Sequence, residues 1–172
     1  MKGHEYKWLV ARYIVSVYGP RGISLYDELT IGTSIIGKPR RVDLLALDTT
    51  GRGLALECKY QDSSGTVDEK IPYALADLDA LKMPAILVYA GAGFSDGVLH
   101  LLKSSPFGAY CMPDETLKPL VRSRSSDAVH SGTWQLDHAI ARTFGFWDIL
   151  IAGKPPISVA DPAGLPLGPR SD

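Results

Sequence analysis

Arg40-Arg41-Val42-Asp43-Leu44-Leu45, then Leu54-Ala55-Leu56-Glu57-Cys58-Lys59-Tyr60-Gln61, is the stretch on which the reading of this chain turns. Arg41–Leu47 and Gly53–Gln61 are strand-like, and the turn-rich Asp48-Thr49-Thr50-Gly51-Arg52 between them has hairpin length. The two strands are therefore expected to be antiparallel neighbours. Side chains alternate along a strand, so Leu54, Leu56, Cys58 and Tyr60 share one face and Ala55, Glu57, Lys59 and Gln61 the other. A carboxylate and an ammonium on a strand that otherwise reads as core are costly unless they pair or hold an ion. Asp43 sits among apolar residues on the neighbouring strand, where the hairpin can set it beside Glu57. Two carboxylates held close repel each other, and one divalent cation relieves the repulsion. Cys58, on the apolar face, reads as a small buried hydrophobe.

Upstream, His4 to Tyr18 predicts a helix stopped by Gly19-Pro20, with Val10, Ile14 and Val17 as its apolar stripe. Glu5 falls in its first turn, where the helix dipole favours a carboxylate whatever its function. Ile23–Leu29 and Thr33–Ile36 are short candidate strands. Downstream, a helix is expected over Asp68–Leu81, burying Ile71, Leu75, Leu78 and Leu81 and turning Asp77, Asp79 and Lys82 to solvent. Thr66 and Glu69 resemble a capping box, but Pro72 would then sit deep in the helix, which argues for a later start. Ala85–Tyr89 is the near-continuous apolar run of a strand covered on both faces, and helix-then-strand is the crossover that makes a parallel pair. Asp96–Lys103 reads as a helix, Ala109–Met112 as a short strand, Arg122–Ser126 as an exposed basic loop and Leu136–Phe144 as a helix. Gly91-Ala92-Gly93 is a strand-to-helix turn, since no Gly-Lys-Ser/Thr follows it. Trp8, Trp134 and Trp147 are read as core.

This order describes an α/β domain with a mixed central β-sheet flanked by helices. Residues 1–152 form the expected domain, and the Pro/Gly-rich 153–172 an extended or disordered tail. At 172 residues the chain suits one core, and 45% hydrophobic with 22% charged residues is ordinary for a soluble protein. The run Ala85–Ala90 is too short to span a membrane, and Lys7 and Arg12 deny the N-terminus an uncharged secretory core. Cys58 and Cys111 stand in no metal or disulfide spacing, nor do the four histidines in ligand spacing, so a reduced, cytoplasmic setting is expected. A net charge of −1 does not advertise nucleic-acid binding, yet a metal-dependent enzyme can cluster its cations around an acidic cleft, so net charge alone decides nothing.

Phosphodiester hydrolysis needs charge stabilisation at the phosphoryl oxygens, an activated water and protonation of the leaving alkoxide. Paired carboxylates with Mg²⁺ and a neighbouring lysine suit those needs. Asp43, thirteen intervening residues, then Glu57-Cys58-Lys59 resembles the motif of the PD-(D/E)xK nucleases, the restriction-endonuclease-like superfamily that also contains Holliday junction resolvases. The order of elements over residues 4 to about 112 resembles that family's core as well. The proline that commonly precedes the aspartate is replaced by Val42.

The resemblance implies a restriction-endonuclease-like fold. It implies Asp43 and Glu57 as metal-binding carboxylates, the Cys58 backbone carbonyl as a further ligand, and Lys59 as the catalytic lysine. Glu5 is similar to a first-helix glutamate that many members add to the metal site, and Gln61 to a glutamine found just after the lysine in some branches. Arg40, Arg41 and Lys70 are candidates for phosphate contacts. The implied activity is Mg²⁺-dependent cleavage of DNA, double-stranded or branched, by an endonuclease, with Mn²⁺ able to substitute and a homodimer expected. The bland readings are an edge strand of alternating charge for Glu57 and Lys59, and solvated surface cations for Arg40, Arg41 and Lys70. A nucleic-acid-binding or assembly module that no longer cuts is the competing function, and RNA the competing substrate.

Overall fold

Ala85–Ala90 has every side chain buried, which requires a strand covered on both faces, and it pairs with a neighbouring strand at both edges. In the computed structural model, which describes residues 1–63, 65–120 and 132–156, this strand is flanked in that way. The chain runs through helix α1 (Gly3–Tyr18), strands β1 (Ser24–Thr33), β2 (Pro39–Leu47) and β3 (Gly53–Tyr60), and helix α2 (Val67–Asp79). It continues through β4 (Ala85–Ala90), α3 (Asp96–Ser104), β5 (Gly108–Tyr110), α4 (Trp134–Phe144) and α5 (Trp147–Ile151). The sheet is mixed and five-stranded, in the order β1-β2-β3-β4-β5. The β1–β2 and β2–β3 pairs are antiparallel, while β3–β4 and β4–β5 are parallel, as the hairpin and crossover lengths require.

One face of the sheet meets α1 and α4, where Val10, Ile14, Leu136 and Ile140 pack on Leu44, Leu54, Leu56 and Val88. The other meets α2 and α3, with Ile71, Leu75, Leu78 and Leu102 against Leu45, Ala55, Leu87 and Tyr89. Burial of each such side chain is worth about 1.5–3 kcal/mol. Beneath α1 lies a polar anchor. The buried Asp137 carboxylate of α4 accepts hydrogen bonds from the hydroxyls of Tyr13 and Tyr18, both at 2.6 Å, and from Thr133 at 2.8 Å. Burial first, with Asp137 adding to it, drives both phenol pKa values far above the ordinary range. The phenols therefore stay protonated donors.

Several expectations are corrected. Of the two short candidate strands before Pro39, the first lengthens into β1, and the second is not a strand: beyond Thr33 it belongs to the turn, Ser34 to Lys38, that leads to β2. Helix α2 begins at Val67 despite Pro72 within it, and Thr66 makes no side-chain cap. Pro72 is exposed, and the buried Ile71, Leu75 and Leu78 outweigh the local cost. Asp77 is only half-exposed. Strand β5 ends at Tyr110, and Met112 bridges antiparallel to Gly132. While Tyr6, Tyr13, Tyr18, Tyr89, Phe94 and Phe144 are buried, Trp8, Trp134 and Trp147 are surface residues, 42%, 37% and 52% exposed. Their helical positions face away from the sheet.

Gly91 and Gly93 are needed for close approach: a Cβ on Gly91 would lie 2.1 Å from the Gln61 carbonyl oxygen, and one on Gly93 2.4 Å from the Ser63 nitrogen. The expected basic loop Arg122–Ser126 lies outside the described residues, as does the expected tail from residue 157 onward. Among the described residues no helix is long and apolar enough to cross a membrane.

Candidate active site

Val42 and Leu44 should share a face of β2, yet Val42 packs on the α2 side and Leu44 on the α1 side. The alternation slips at Asp43. Its register neighbour on β1, between the pairs Asp27–Leu44 and Leu29–Val42, is Glu28, whose φ of 49° is unusual for a residue with a side chain. On the other side, β2 pairs with β3 from Leu47–Gly53 to Leu44–Leu56, and the register ends there. The hairpin therefore opens at Asp43 and Glu57.

Ala55 and Gln61 direct their N–H groups to carbonyls on the β4 side, Pro84 and Ala90, so the N–H of Cys58 faces β2. Asp43 Oδ2 accepts that N–H at 2.7 Å, taking the place of a ladder carbonyl. The Cys58 carbonyl projects in the same direction as its N–H, into the opening that Asp43 fills. The Cys58 side chain is buried on the α1 face, as its position in the alternation requires.

Glu57 and Lys59 lie on the opposite face, toward α2. Lys59 Nζ donates to Glu57 Oε1 at 2.5 Å, and their side chains are 22% and 21% exposed. Burial raises the Glu57 carboxyl pKa; Lys59 opposes this, Asp43 adds to it, and the net shift is upward. Burial pulls the Lys59 ammonium down, but the Glu57 and Asp43 carboxylates outweigh it and hold the pKa above its ordinary value. Asp43 is thus close enough to act on both groups.

Glu57 and Lys59 open into a cleft of about 360 Å³ between α2 and the β1–β2 turn, with Lys38, Arg41, Lys70 and Tyr73 on its walls. Of the expected phosphate contacts, Lys70 is exposed, whereas Arg41 is paired with Glu28. Arg40 is buried and bonded to Asp77 through Nε at 2.8 Å and Nη2 at 3.1 Å. Its guanidinium is committed to tying β2 to α2. Gln61 is 4% exposed and turns to the end of the sheet, where Nε2 donates to Asp68 at 2.9 Å and to the Gly93 carbonyl at 2.7 Å.

Glu5 does not join the carboxylates. Among the described residues no three His, Cys, Asp or Glu side chains group as a metal site, and Glu5 instead accepts the Lys2 N–H at 2.7 Å, capping α1. Lys7, which in the sequence merely interrupts an apolar stretch, is the α1 residue that reaches the opened strands. It is 5% exposed and binds Asp27 at 2.7 Å and Glu28 at 3.1 Å. Lys7, Lys38 and Tyr73 carry no local sequence signal, because each reaches the site only through the way α1, the β1–β2 turn and α2 meet the sheet.

A family model described as the PD-(D/E)XK nuclease superfamily domain matches residues 2–147. The chain belongs to this superfamily. Among solved structures, a repair endonuclease from Pyrococcus abyssi is similar at 14% identity and a TM-score of 0.29, over 60% of this chain and 43% of that one. The match thus spans less than half of that structure. Comparison with curated proteins gives no match.

PD-(D/E)XK nucleases typically use divalent metals. The donor chemistry here fits such an ion: two carboxylates near one lysine, and a carbonyl facing the same opening, are hard oxygen donors. A set this small suits Mg²⁺, which usually keeps several waters and binds through one or two carboxylates plus phosphate.

Proposed function

We propose that this PD-(D/E)XK domain is a Mg²⁺-dependent DNA endonuclease, with Mn²⁺ able to substitute. The observation that carries the reading is the opened hairpin. Asp43 accepts the Cys58 N–H at 2.7 Å and Lys59 contacts Glu57 at 2.5 Å, within electrostatic reach of Asp43 and beside a cleft walled by lysines. Asp43, Glu57 and the Cys58 carbonyl are the proposed metal ligands. When bound, the cation supplies positive charge to the phosphoryl oxygens and acidifies water.

Lys59 donates hydrogen bonds that orient the attacking water and offset the charge that develops on the phosphate. The water gives up a proton to solvent as its oxygen bonds to phosphorus, the opposite P–O ester bond breaks, and the leaving alkoxide takes up a proton from solvent. Lys70 and Lys38 hold flanking phosphates by charge. Asp77 and Arg40 support the wall of the cleft, and Gln61 secures the turn after β3. Cutting both strands of a duplex calls for two sites, so we assign the active form to a homodimer, acting on double-stranded or branched DNA.

Supercoiled plasmid with Mg²⁺ is the test. Nicking or linearisation that disappears with EDTA and with Lys59→Ala supports the reading. Binding without cleavage turns it into the non-cutting module, and cleavage confined to an RNA substrate reassigns the substrate.

A further inference from the structure

The turn between β1 and β2 has favoured ends, Ser34 and Gly37, but unusual corners. Gly37 N–H donates to the Ser34 carbonyl at 2.9 Å, Ser34 N–H donates to the Lys38 carbonyl at 2.8 Å, and Gly37 takes the left-handed conformation at φ 78°. The corners of such turns usually carry Asp, Asn, Ser, Pro or Gly, which suit the bend or bond back to it. Here they carry Ile35 and Ile36, 48% and 59% exposed, and neither side chain belongs to a core cluster. A sequence that gives up local preference with no gain in packing marks a functional position.

The turn is also held in place. Asp77 Oδ1 accepts the Ile35 N–H at 2.8 Å while the same carboxylate holds Arg40, so the apolar tip is fixed to α2. Ile36 then forms part of the catalytic cleft, on the same wall as Lys38 and facing a pocket shared with Lys59, Lys70 and Tyr73.

We propose that Ile35 and Ile36 are a wedge that enters between base pairs of duplex DNA held in this cleft. The inference rests on the nuclease reading and names how the substrate is engaged. An apolar tip flanked by lysines matches duplex DNA in both respects: phosphates meet the cations, and opened base faces meet the isoleucines. A second copy of the chain fits less well, because a twofold contact through this tip would bring each Lys38 and Lys70 toward its own equivalent. Tyr73, 42% exposed, offers a ring on which a displaced base can stack.

Opening a base step has a cost, which a site already lacking a base does not incur. The experiment measures affinity of the full chain, with Ca²⁺ in place of Mg²⁺, for a fully paired duplex and for the same duplex with a central abasic position. The wild type is expected to prefer the abasic duplex by about tenfold or more, and I35S/I36S to bind both alike. Equal affinity of the wild type for both, or a preference that survives in I35S/I36S, overturns the wedge. A sedimentation shift from dimer to monomer in I35S/I36S, with the preference intact, also overturns it and assigns the tip to self-association. Plasmid cleavage by the wild type in Mg²⁺ is measured in parallel: absence of cleavage counts against the nuclease reading, whereas cleavage without the abasic preference counts against the wedge alone.

Discussion

The Asp77 carboxylate receives the Arg40 guanidinium in two hydrogen bonds, 2.8 Å from Nε and 3.1 Å from Nη2, with side-chain exposures of only 15% and 7%. An arginine so committed is structural even though it lines the cleft. Arg40→Ala leaves Asp77 half-buried without its cation, and the expected loss is on the order of 3 kcal/mol in urea unfolding. Lys70→Ala, at an exposed position, should leave stability unchanged within about 0.5 kcal/mol. It should instead weaken DNA binding and reduce the slope of log K against log salt by about 1.

The same pair sets an acid-side dependence. The Arg40 guanidinium holds the Asp77 carboxyl below the usual carboxylate range, against the upward pull of burial and with help from the Ile35 N–H. A folded pKa below the unfolded one means the unfolded chain binds the proton more tightly. The stabilisation is present above the unfolded value of about 4 and is lost as pH falls through the lower folded value. Denaturation measured between neutral pH and acid should therefore show a smaller loss of stability in Arg40→Ala than in the wild type. Equal slopes would contradict the assignment.

In the proposed mechanism Asp43 both accepts the Cys58 N–H and holds the cation, two duties that two substitutions separate. Asp43→Asn keeps an oxygen for the Cys58 N–H but loses the charge. It should cost less than about 1 kcal/mol of stability while lowering Mg²⁺-dependent cleavage about 100-fold or more. Asp43→Ala leaves the Cys58 N–H unpaired and should cost an added 1–3 kcal/mol or so. Thermal melts with plasmid cleavage on the same preparations check both. An Asp43→Asn enzyme that cuts normally would remove Asp43 from the metal site.

The Asp137 anchor should show in stability and nowhere in DNA binding. Tyr18→Phe removes one donor to a buried carboxylate, with an expected cost of about 1.5–3 kcal/mol. Asp137→Ala removes the carboxylate acceptor shared by three hydroxyls and is expected to cost more than Tyr18→Phe. Because Tyr13 and Tyr18 bond the same oxygen, Tyr13→Phe with Tyr18→Phe should depart from additivity, which a double-mutant cycle in urea reads directly.

The β2–β3 hairpin, α2 and the parallel β3–β4 pair were legible because each leaves a local signature. Asp48 to Arg52 is a loop of hairpin length, Ile71, Leu75, Leu78 and Leu81 repeat at helical spacing, and Ala85–Ala90 has no polar residue to turn outward. The charged face of Glu57 and Lys59 follows from the same two-residue period. Arg40 misled for the opposite reason. Beside Arg41 in the chain it reads as a surface cation, and only the arrival of Asp77, 37 residues away, buries it. The tryptophans misled likewise, since bulk and hydrophobicity suggest core while helical phase puts all three on the surface.

Residue types and short-range spacing were enough to specify the fold class and to nominate Asp43, Glu57 and Lys59 as candidates, because strand and helix periods act over a few neighbouring residues. The tertiary structure alone decided that the alternation slips at Asp43, that Lys7 rather than Glu5 reaches the opened strands, and that Asp77 fixes Ile35 at the mouth of the cleft. Those outcomes depend on which distant groups meet and on what each loses by leaving water, and neither is encoded in any one segment.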